Sequence, residues 1–198
     1  MVDRVTGYLN NNSSFHTEIG KIRLSWWDAL ELEDVAIRDH KDSLMLGAKN
    51  IHADFSLLSL LPPGDLVVDA IRLDQATVNL HTHKGDTTLN INQWISELGT
   101  LFGSADTTAK APVSFSIGSI QLRQSNFSLI NHNTDPISSG FDYTQMRFVD
   151  VTANAENFRL KNSEISVDIK LLSGIEKTSD LTILELRNNL TDGPKNLE

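Results

Sequence analysis

Two histidines in one short segment are the residues whose type and spacing best fit a chemical site. His81 and His83 are separated by one residue, so both imidazoles lie on the same side of an extended strand. With a carboxylate such as Asp86 nearby, this spacing suits zinc. The turn-forming residues 84–86 follow at once, however, and favour an exposed strand end. We therefore predict no metal and no cofactor.

The other histidines have no partner at motif spacing. We predict that they are surface or strand residues without a site role: His16, His40, His52 and His132.

Patterns typical of catalysis are missing from the sequence. No serine stands in a Gly-x-Ser-x-Gly motif, and neither a glycine-rich phosphate loop nor a paired-carboxylate motif occurs. The chain has no cysteine, which excludes a thiol nucleophile, a thiolate zinc site and a disulfide framework. We predict that the protein is not an enzyme.

Composition narrows the possible partners. The 26 acidic and 17 basic side chains give a net charge of -9, and the basic residues are scattered, so we expect no nucleic-acid partner. A hydrophobic fraction of 39% argues for a folded chain rather than a disordered one. No apolar run approaches the roughly 18–20 residues that a membrane-spanning helix requires.

Period-two alternation of apolar and polar residues dominates the chain after residue 18 and predicts strands with one buried face. Ile22 and Leu24 begin the pattern, which continues to Leu171. The alternation slips by one residue at Glu33 and Asp34, which predicts a bulge or tight turn.

Helical spacing appears in only a few places. Residues 90–103 carry apolar side chains at helical offsets, with Asn90 as a predicted N-cap and Gly103 as a C-terminal stop. Residues 57–61 are a shorter candidate. We divide the chain into the end of a truncated membrane-proximal helix, a first β-groove region, a linker, a second β-groove region and a tail: 1–14, 15–103, 104–112, 113–190 and 191–198.

A search for internal repeats finds three segments of the form apolar-x-x-Ile-x-Leu. Their central isoleucines are Ile22, Ile71 and Ile120, separated by equal intervals of 49 residues. Equal spacing of matching strands predicts a repeated β architecture.

The strands pose a packing problem, because a sheet with one apolar face must cover it. One or two short helices are too few to do so. A sandwich, a closed barrel and a curled sheet remain possible, and we expect the last: a mainly β, elongated, groove-like sheet of repeated antiparallel strands. The residues predicted to line the groove are Ile22, Leu24, Leu32, Val35, Ile37, Ile51, Phe55, Ile71, Leu73, Val78, Leu80, Phe115, Ile117, Ile120, Leu122, Phe127, Ile165, Val167 and Ile169.

An ordered set of segments resembles the AsmA-like and TamB-like family of cell-envelope proteins, especially those of Bacteroidota. The matching segments are 18–24, 26–39, 46–55, 57–61, 71–80, 88–91, 165–169 and 172–179. At Thr178 to Asp180 the chain departs from the Glu-Lys-Ser-Gly form that is usual in the family. The resemblance covers most of residues 15–186.

This resemblance implies a location and a set of partners. It implies a periplasmic protein anchored by an inner-membrane helix upstream of Met1, and a groove that carries phospholipid acyl chains between the two membranes. It also implies support of outer-membrane protein assembly with a barrel partner resembling TamA. The family has no catalytic residues to transfer to this chain.

Two further hypotheses stay open at this point. Open sheet edges can pair with strands of an outer-membrane barrel partner, which would make the chain an interaction scaffold. An extracellular adhesive β domain is the other alternative.

Overall fold

A computed structural model describes residues 2–25, 29–54, 66–102, 115–138, 140–161, 164–177 and 182–187. Predictions for the linker 104–112, the tail 191–198, the helix candidate 57–61, Gly103 and Phe55 lie outside these residues. The elements in chain order are α1 (Val2–Asn12), β1 (His16–Ser25), β2 (Ala29–Arg38), β3 (Leu44–Asp54), β4 (Leu66–Thr82), α2 (Asn90–Phe102), β5 (Phe115–Asn131), β6 (Gln145–Lys161), β7 (Glu164–Glu176) and β8 (Thr182–Arg187).

All eight strands form one sheet in the order of the sequence, from β1 to β8. Within the described part of the chain β1 and β8 do not pair with each other, so the sheet stays open. The predicted fold class, a mainly β curled sheet with two short helices, is confirmed. Neither described helix is long and apolar enough to cross a membrane.

One pair of strands departs from the predicted antiparallel arrangement. β4 and β5 are parallel, whereas every other neighbouring pair is antiparallel. A parallel pair needs a crossover, because the chain must return to the starting edge. Helix α2 lies within this crossover, between the end of β4 and the start of β5.

The 49-residue interval has a structural meaning in the second and third segments only. Ile71 pairs directly with Ile120, and the same offset holds along both strands from Leu66 and Phe115 to Thr82 and Asn131. The strand that carries Ile22 is not an equivalent repeat, because β1 runs antiparallel to β4. Three antiparallel pairings separate them, each of which reverses the chain direction.

Residues with a left-handed backbone conformation account for the slips in the apolar pattern. Asp34, at the predicted slip, has a φ of 52°, and four other strand residues have similar values: Gln75, Gln124, Asp150 and Asn157. The register of β2 with β1 and with β3 does not shift at Asp34, so the predicted bulge does not form there, and the left-handed residue itself moves the residues that follow to the next alternation step. Apolar residues therefore stay on one face of β4, although their positions change from odd numbers to even ones after Gln75.

Ser125 completes the backbone hydrogen bonding beside the left-handed residues Gln75 and Gln124. Its side chain is fully buried, accepts a hydrogen bond from the Ala76 amide at 3.1 Å and donates one to the Arg123 carbonyl at 2.8 Å. Buried polar groups cost free energy unless they are paired. The serine hydroxyl thus supplies the hydrogen bond that a regular ladder would otherwise provide.

The core lies where α2 meets the apolar face of the sheet. The buried apolar cluster is formed by Phe15, Val35, Ile37, Met45, Ala48, Ile51, Leu73 and Ala76. Ile91 and Trp94 of α2 pack against this cluster, and Ile95 is buried. The helix predicted for residues 90–103 is confirmed over Asn90–Phe102.

Glu97 joins α2 to the segment between α1 and β1. One carboxylate oxygen accepts hydrogen bonds from the Ser13 hydroxyl at 2.6 Å and the Ser14 amide at 2.8 Å. The other accepts from the Ser14 hydroxyl at 2.5 Å. Burial acts to raise the pKa of Glu97, but these hydrogen bonds outweigh it and hold the pKa below its ordinary value.

Replacing Glu97 with glutamine is expected to destabilise the fold at neutral pH by about 1–2 kcal/mol, since a charged acceptor is lost. A carboxyl group whose pKa is lowered in the folded state stabilises the protein at pH values above its ordinary pKa of 4.5. That contribution disappears as the pH falls through the folded-state pKa. Urea unfolding from pH 7 down to pH 3 should show the difference between wild type and Glu97→Gln shrinking below about pH 4.5. A difference that does not depend on pH would contradict this assignment.

Candidate functional site

The strand register places the predicted groove residues on one face of the sheet. Directly paired residues lie on the same face, and residues two apart along a strand also share one. A first apolar row crosses seven strands through Ile22, Leu32, Ile51, Leu73, Leu122, Ala153 and Leu172. A second row follows Leu24, Leu30, Ala53, Ile71, Ile120, Ala155 and Ile169.

The remaining predicted residues continue the same face along the strands. Ile37 and Phe127 belong to a third row with Leu46, Val78 and Phe148. Val35 pairs with Ala48, Leu80 pairs with Leu129, and Phe115 and Ile117 begin β5. Val167 lies two residues before Ile169 on β7 and therefore shares its face. The side chain of Ile165 lies outside the described part.

Exposure divides this face into a covered end and an open end. Five predicted residues are buried: Val35, Ile37, Ile51, Leu73 and Ile117. At the other extreme Leu24 is 59% exposed, Val167 39% and Ile169 37%. Ile22, Ile71 and Ile120 are half-buried. The second apolar row therefore reaches solvent at both ends.

A second group of residues collects at the end of β4 and β5. His81, His83 and His132 form the histidine cluster, in which one nitrogen from each ring lies within 4.8 Å of the others. The ring of His81 is nearly perpendicular to those of His83 and His132, at centroid distances of 5.8 and 5.3 Å. The rings of His83 and His132 stack at 5.8 Å.

His132, predicted to be a surface or strand residue, is exposed, but it also belongs to this cluster. The signal that would have revealed its position is the 49-residue interval, because His83 and His132 are 49 residues apart in the sequence. They directly follow Thr82 and Asn131, which are the last pair of the parallel ladder. The residues one position beyond this last pair are His83 and His132, so the same offset places their rings side by side.

The other three histidines, predicted to be surface or strand residues, each contact a carboxylate. His40 contacts the Asp86 carboxylate at 3.0 Å, so the structure pairs Asp86 with His40 rather than with His81 and His83. His16 lies 3.3 Å from Glu18. His52 contacts Asp54 at 2.9 Å, and a second carboxylate, that of Glu31, lies 3.8 Å away.

A turn after β4 positions His83 beside a buried carboxylate. The Asp86 amide donates to the His83 carbonyl at 2.9 Å, and Gly85 has a φ of 88°, which confirms the predicted turn. The Nε2 atom of His83 lies 2.6 Å from a carboxylate oxygen of Asp39. Sequence reasoning gave no role to Asp39.

Asn90 connects this turn to α2, in a way that differs from the predicted N-cap. Its side-chain oxygen accepts hydrogen bonds from the amides of His81 and Ile91, and its NH₂ group donates to Asp39 and to the Asn79 carbonyl. The residue before it, Leu89, accepts the first helical amide through its carbonyl. Asn90 therefore fixes the start of α2 against β4.

Burial and hydrogen bonding determine the charges in this region. Burial acts to raise the pKa of Asp39, but hydrogen bonds from Asn90, His83 and two backbone amides outweigh this effect and hold the pKa below its ordinary value, so the group stays anionic. Burial lowers the pKa of His81, and the neighbouring His132 and His83 lower it further. At neutral pH His81 is therefore an uncharged imidazole.

The fold, the apolar face and the histidine cluster together define a class of protein: an open, mainly β sheet with an apolar face that is covered at one end. No family model, no curated protein and no solved structure matches this chain. The likeness to AsmA-like and TamB-like proteins therefore rests on the sequence segments alone.

Proposed function

We propose that the chain holds phospholipid acyl chains against the open part of its apolar face. The observation that carries this proposal is the second apolar row, which is continuous across seven strands and exposed at Leu24 and Ile169. No hydrogen-bonding side chain interrupts the row. An acyl chain needs no polar partner, whereas a specific polar ligand does.

The dimensions of the row fit this ligand. Seven strands about 4.8 Å apart extend over about 29 Å, and one acyl chain reaches about 15 Å, half the hydrocarbon thickness of a bilayer. Each methylene removed from water contributes about 0.8 kcal/mol. Several methylenes along the row therefore hold a chain without a specific head-group contact.

The wider role is part of the same proposal. A groove that shields acyl chains suits a non-enzymatic periplasmic segment that conducts phospholipid between the inner and outer membranes, as the family resemblance implies. The inner-membrane anchor is proposed on the same basis.

Photocrosslinking in cells tests the proposal. A crosslinking amino acid at Ile71, which pairs with Ile120 in the second row, is expected to give lipid adducts that mass spectrometry detects. Arg72 is the matched control, because it is exposed on the opposite face and donates a hydrogen bond to Gln121 at 3.2 Å. Absence of lipid at Ile71, or equal yields at both positions, would rule the proposal out.

A charge on the open row provides a second test. Leu24 is 59% exposed, so Leu24→Asp should fold. If the aspartate leaves two methylenes of the acyl chain in water, the binding free energy weakens by about 1.6 kcal/mol. The adduct yield at Ile71 then falls about tenfold under subsaturating lipid. A yield that matches the wild-type yield would contradict a ligand along this row.

A second candidate function rests on the open edges of the sheet. Within the described residues β1 and β8 each have a single neighbouring strand, and unpaired edges can accept a strand from another protein. At β1 the side chain of Asn10 already occupies part of the edge, bonding the Thr17 amide at 2.6 Å and its carbonyl at 3.0 Å. We therefore assign strand addition by an outer-membrane barrel protein to β8.

Proline substitutions along Thr182–Arg187 test strand addition, since proline removes an edge donor. They should abolish crosslinking of β8 to the barrel protein and leave lipid adducts at Ile71 intact. Crosslinking of β8 that tolerates every proline would exclude strand addition there.

A further inference from the structure

We propose that the histidine cluster binds one divalent transition-metal ion, with Zn²⁺ as the best match. Three imidazoles are a ligand set that zinc, copper and nickel accept, and that magnesium and calcium do not favour. His81 and His83 come from the end of β4, whereas His132 comes from the residue after β5. The topology of the parallel pair, rather than a local motif, assembles the site.

Two of the three rings have a hydrogen-bond partner at Nε2, which leaves Nδ1 of each ring for a metal. The Nε2 atom of His83 donates to Asp39 at 2.6 Å, which leaves Nδ1 with its lone pair for a metal. The Nε2 atom of His81 lies 3.4 Å from the Ser128 hydroxyl, which itself donates to Asn79 at 2.7 Å. A carboxylate behind a ligating imidazole is the usual arrangement at zinc sites, where it fixes the tautomer.

Asp39 is itself held in place, so this support is rigid. The backbone amides of Lys41 and Ser43 each donate to one of its oxygens at 3.0 Å, and the side chain is fully buried. A built outer shell of this kind distinguishes the cluster from histidines that meet by chance on a surface.

The distances require a modest contraction. A tetrahedral zinc ion with bonds of about 2.0–2.1 Å puts its ligand nitrogens about 3.4 Å apart. The nitrogens here lie within 4.8 Å of one another, so the three rings must move closer together by up to about 1.4 Å, and the exposed side chain of His132 has room to do so. Three protein ligands leave a fourth position for water or for a group from another molecule.

A bound metal would stabilise the end of the parallel strand pair β4 and β5. His81 and its neighbour Leu80 lie on opposite faces of β4, and the open second apolar row crosses β4 at Ile71, ten residues before His81. The two sites are therefore independent: loss of metal binding leaves the lipid proposal intact, and the reverse also holds. The ion would link β4 to the loop after β5, next to the turn that leads into α2.

Titration of the purified chain with ZnCl₂ tests the site. We expect one ion per chain with a dissociation constant in the micromolar range or tighter by calorimetry, and a rise in melting temperature. Co²⁺ should give the visible absorption of a tetrahedral site. Binding that appears only at millimolar Zn²⁺ would be adventitious and would overturn the proposal.

His132→Ala is the decisive variant, because this side chain is exposed and its removal should leave the metal-free fold unchanged. Zinc affinity should fall at least about tenfold, since loss of an outer-shell partner alone typically costs 10–100-fold. His16→Ala is the matched control, on an exposed part of β1 beside Glu18. Equal zinc affinity in the two variants would overturn the assignment.

Discussion

Replacing Asp39 with alanine is expected to lower the free energy of unfolding by about 3 kcal/mol or more, because a buried anion with four donors is removed. The donors are the amides of Lys41 and Ser43, the NH₂ group of Asn90 at 3.0 Å and the His83 ring at 2.6 Å. Without the carboxylate these buried donors lose their acceptor. The turn between β2 and β3, the end of β4 and the start of α2 would all be weakened.

Charge-matched variants separate the buried contacts from the loss of a negative charge. Asp39→Asn keeps one acceptor oxygen and should have an intermediate effect. Asp42→Asn is the control: its side chain is 86% exposed, and asparagine tolerates its φ of 59°. Urea unfolding followed by circular dichroism measures all three variants. If Asp39→Ala were no less stable than Asp42→Asn, Asp39 would not have the central role assigned here.

Gly118→Ala is expected to destabilise the parallel pair of strands by about 1–3 kcal/mol through overpacking. A β-carbon at Gly118 would lie 2.6 Å from the carbonyl oxygen of Asp69, closer than real contacts allow. The neighbour is backbone rather than a flexible side chain, so β4 itself must move. Hydrogen exchange of β4 and β5 amides should become faster in this variant.

Gly7→Ala provides the matched control for the same chemical change. A β-carbon at Gly7 has no neighbouring atom within 4 Å, and the residue lies inside α1. Alanine is favoured over glycine in a helix by about 1 kcal/mol, so this variant should be slightly more stable than the wild type. Equal stability of the two variants would show that the close approach at Gly118 is not maintained in solution.

Several elements could be predicted from the sequence because they depend on neighbouring residues. Alternation predicted the strands, the slip at Asp34 marked a residue with a left-handed backbone, and helical spacing predicted α2. The 49-residue interval between Ile71 and Ile120 reflects real pairing, but the sequence did not reveal its direction. Alternation is the same in parallel and antiparallel strands, so it cannot distinguish them.

The histidine cluster and its support show the opposite case. His83 and Asp39 are 44 residues apart, and Asn90 is 51 residues from Asp39. No local pattern requires these side chains to meet, because their proximity depends on which strands become neighbours and on where the crossover returns.

The sequence by itself determined that one face of each strand is apolar, since a side chain's face follows from its position along an extended backbone. Only the tertiary structure decided that α2 covers one end of that face and leaves Leu24 and Ile169 exposed. It also decided that His132 joins His81 and His83. The physical reason is that alternation is a property of a single strand, whereas coverage and clustering depend on the order and direction of all the strands.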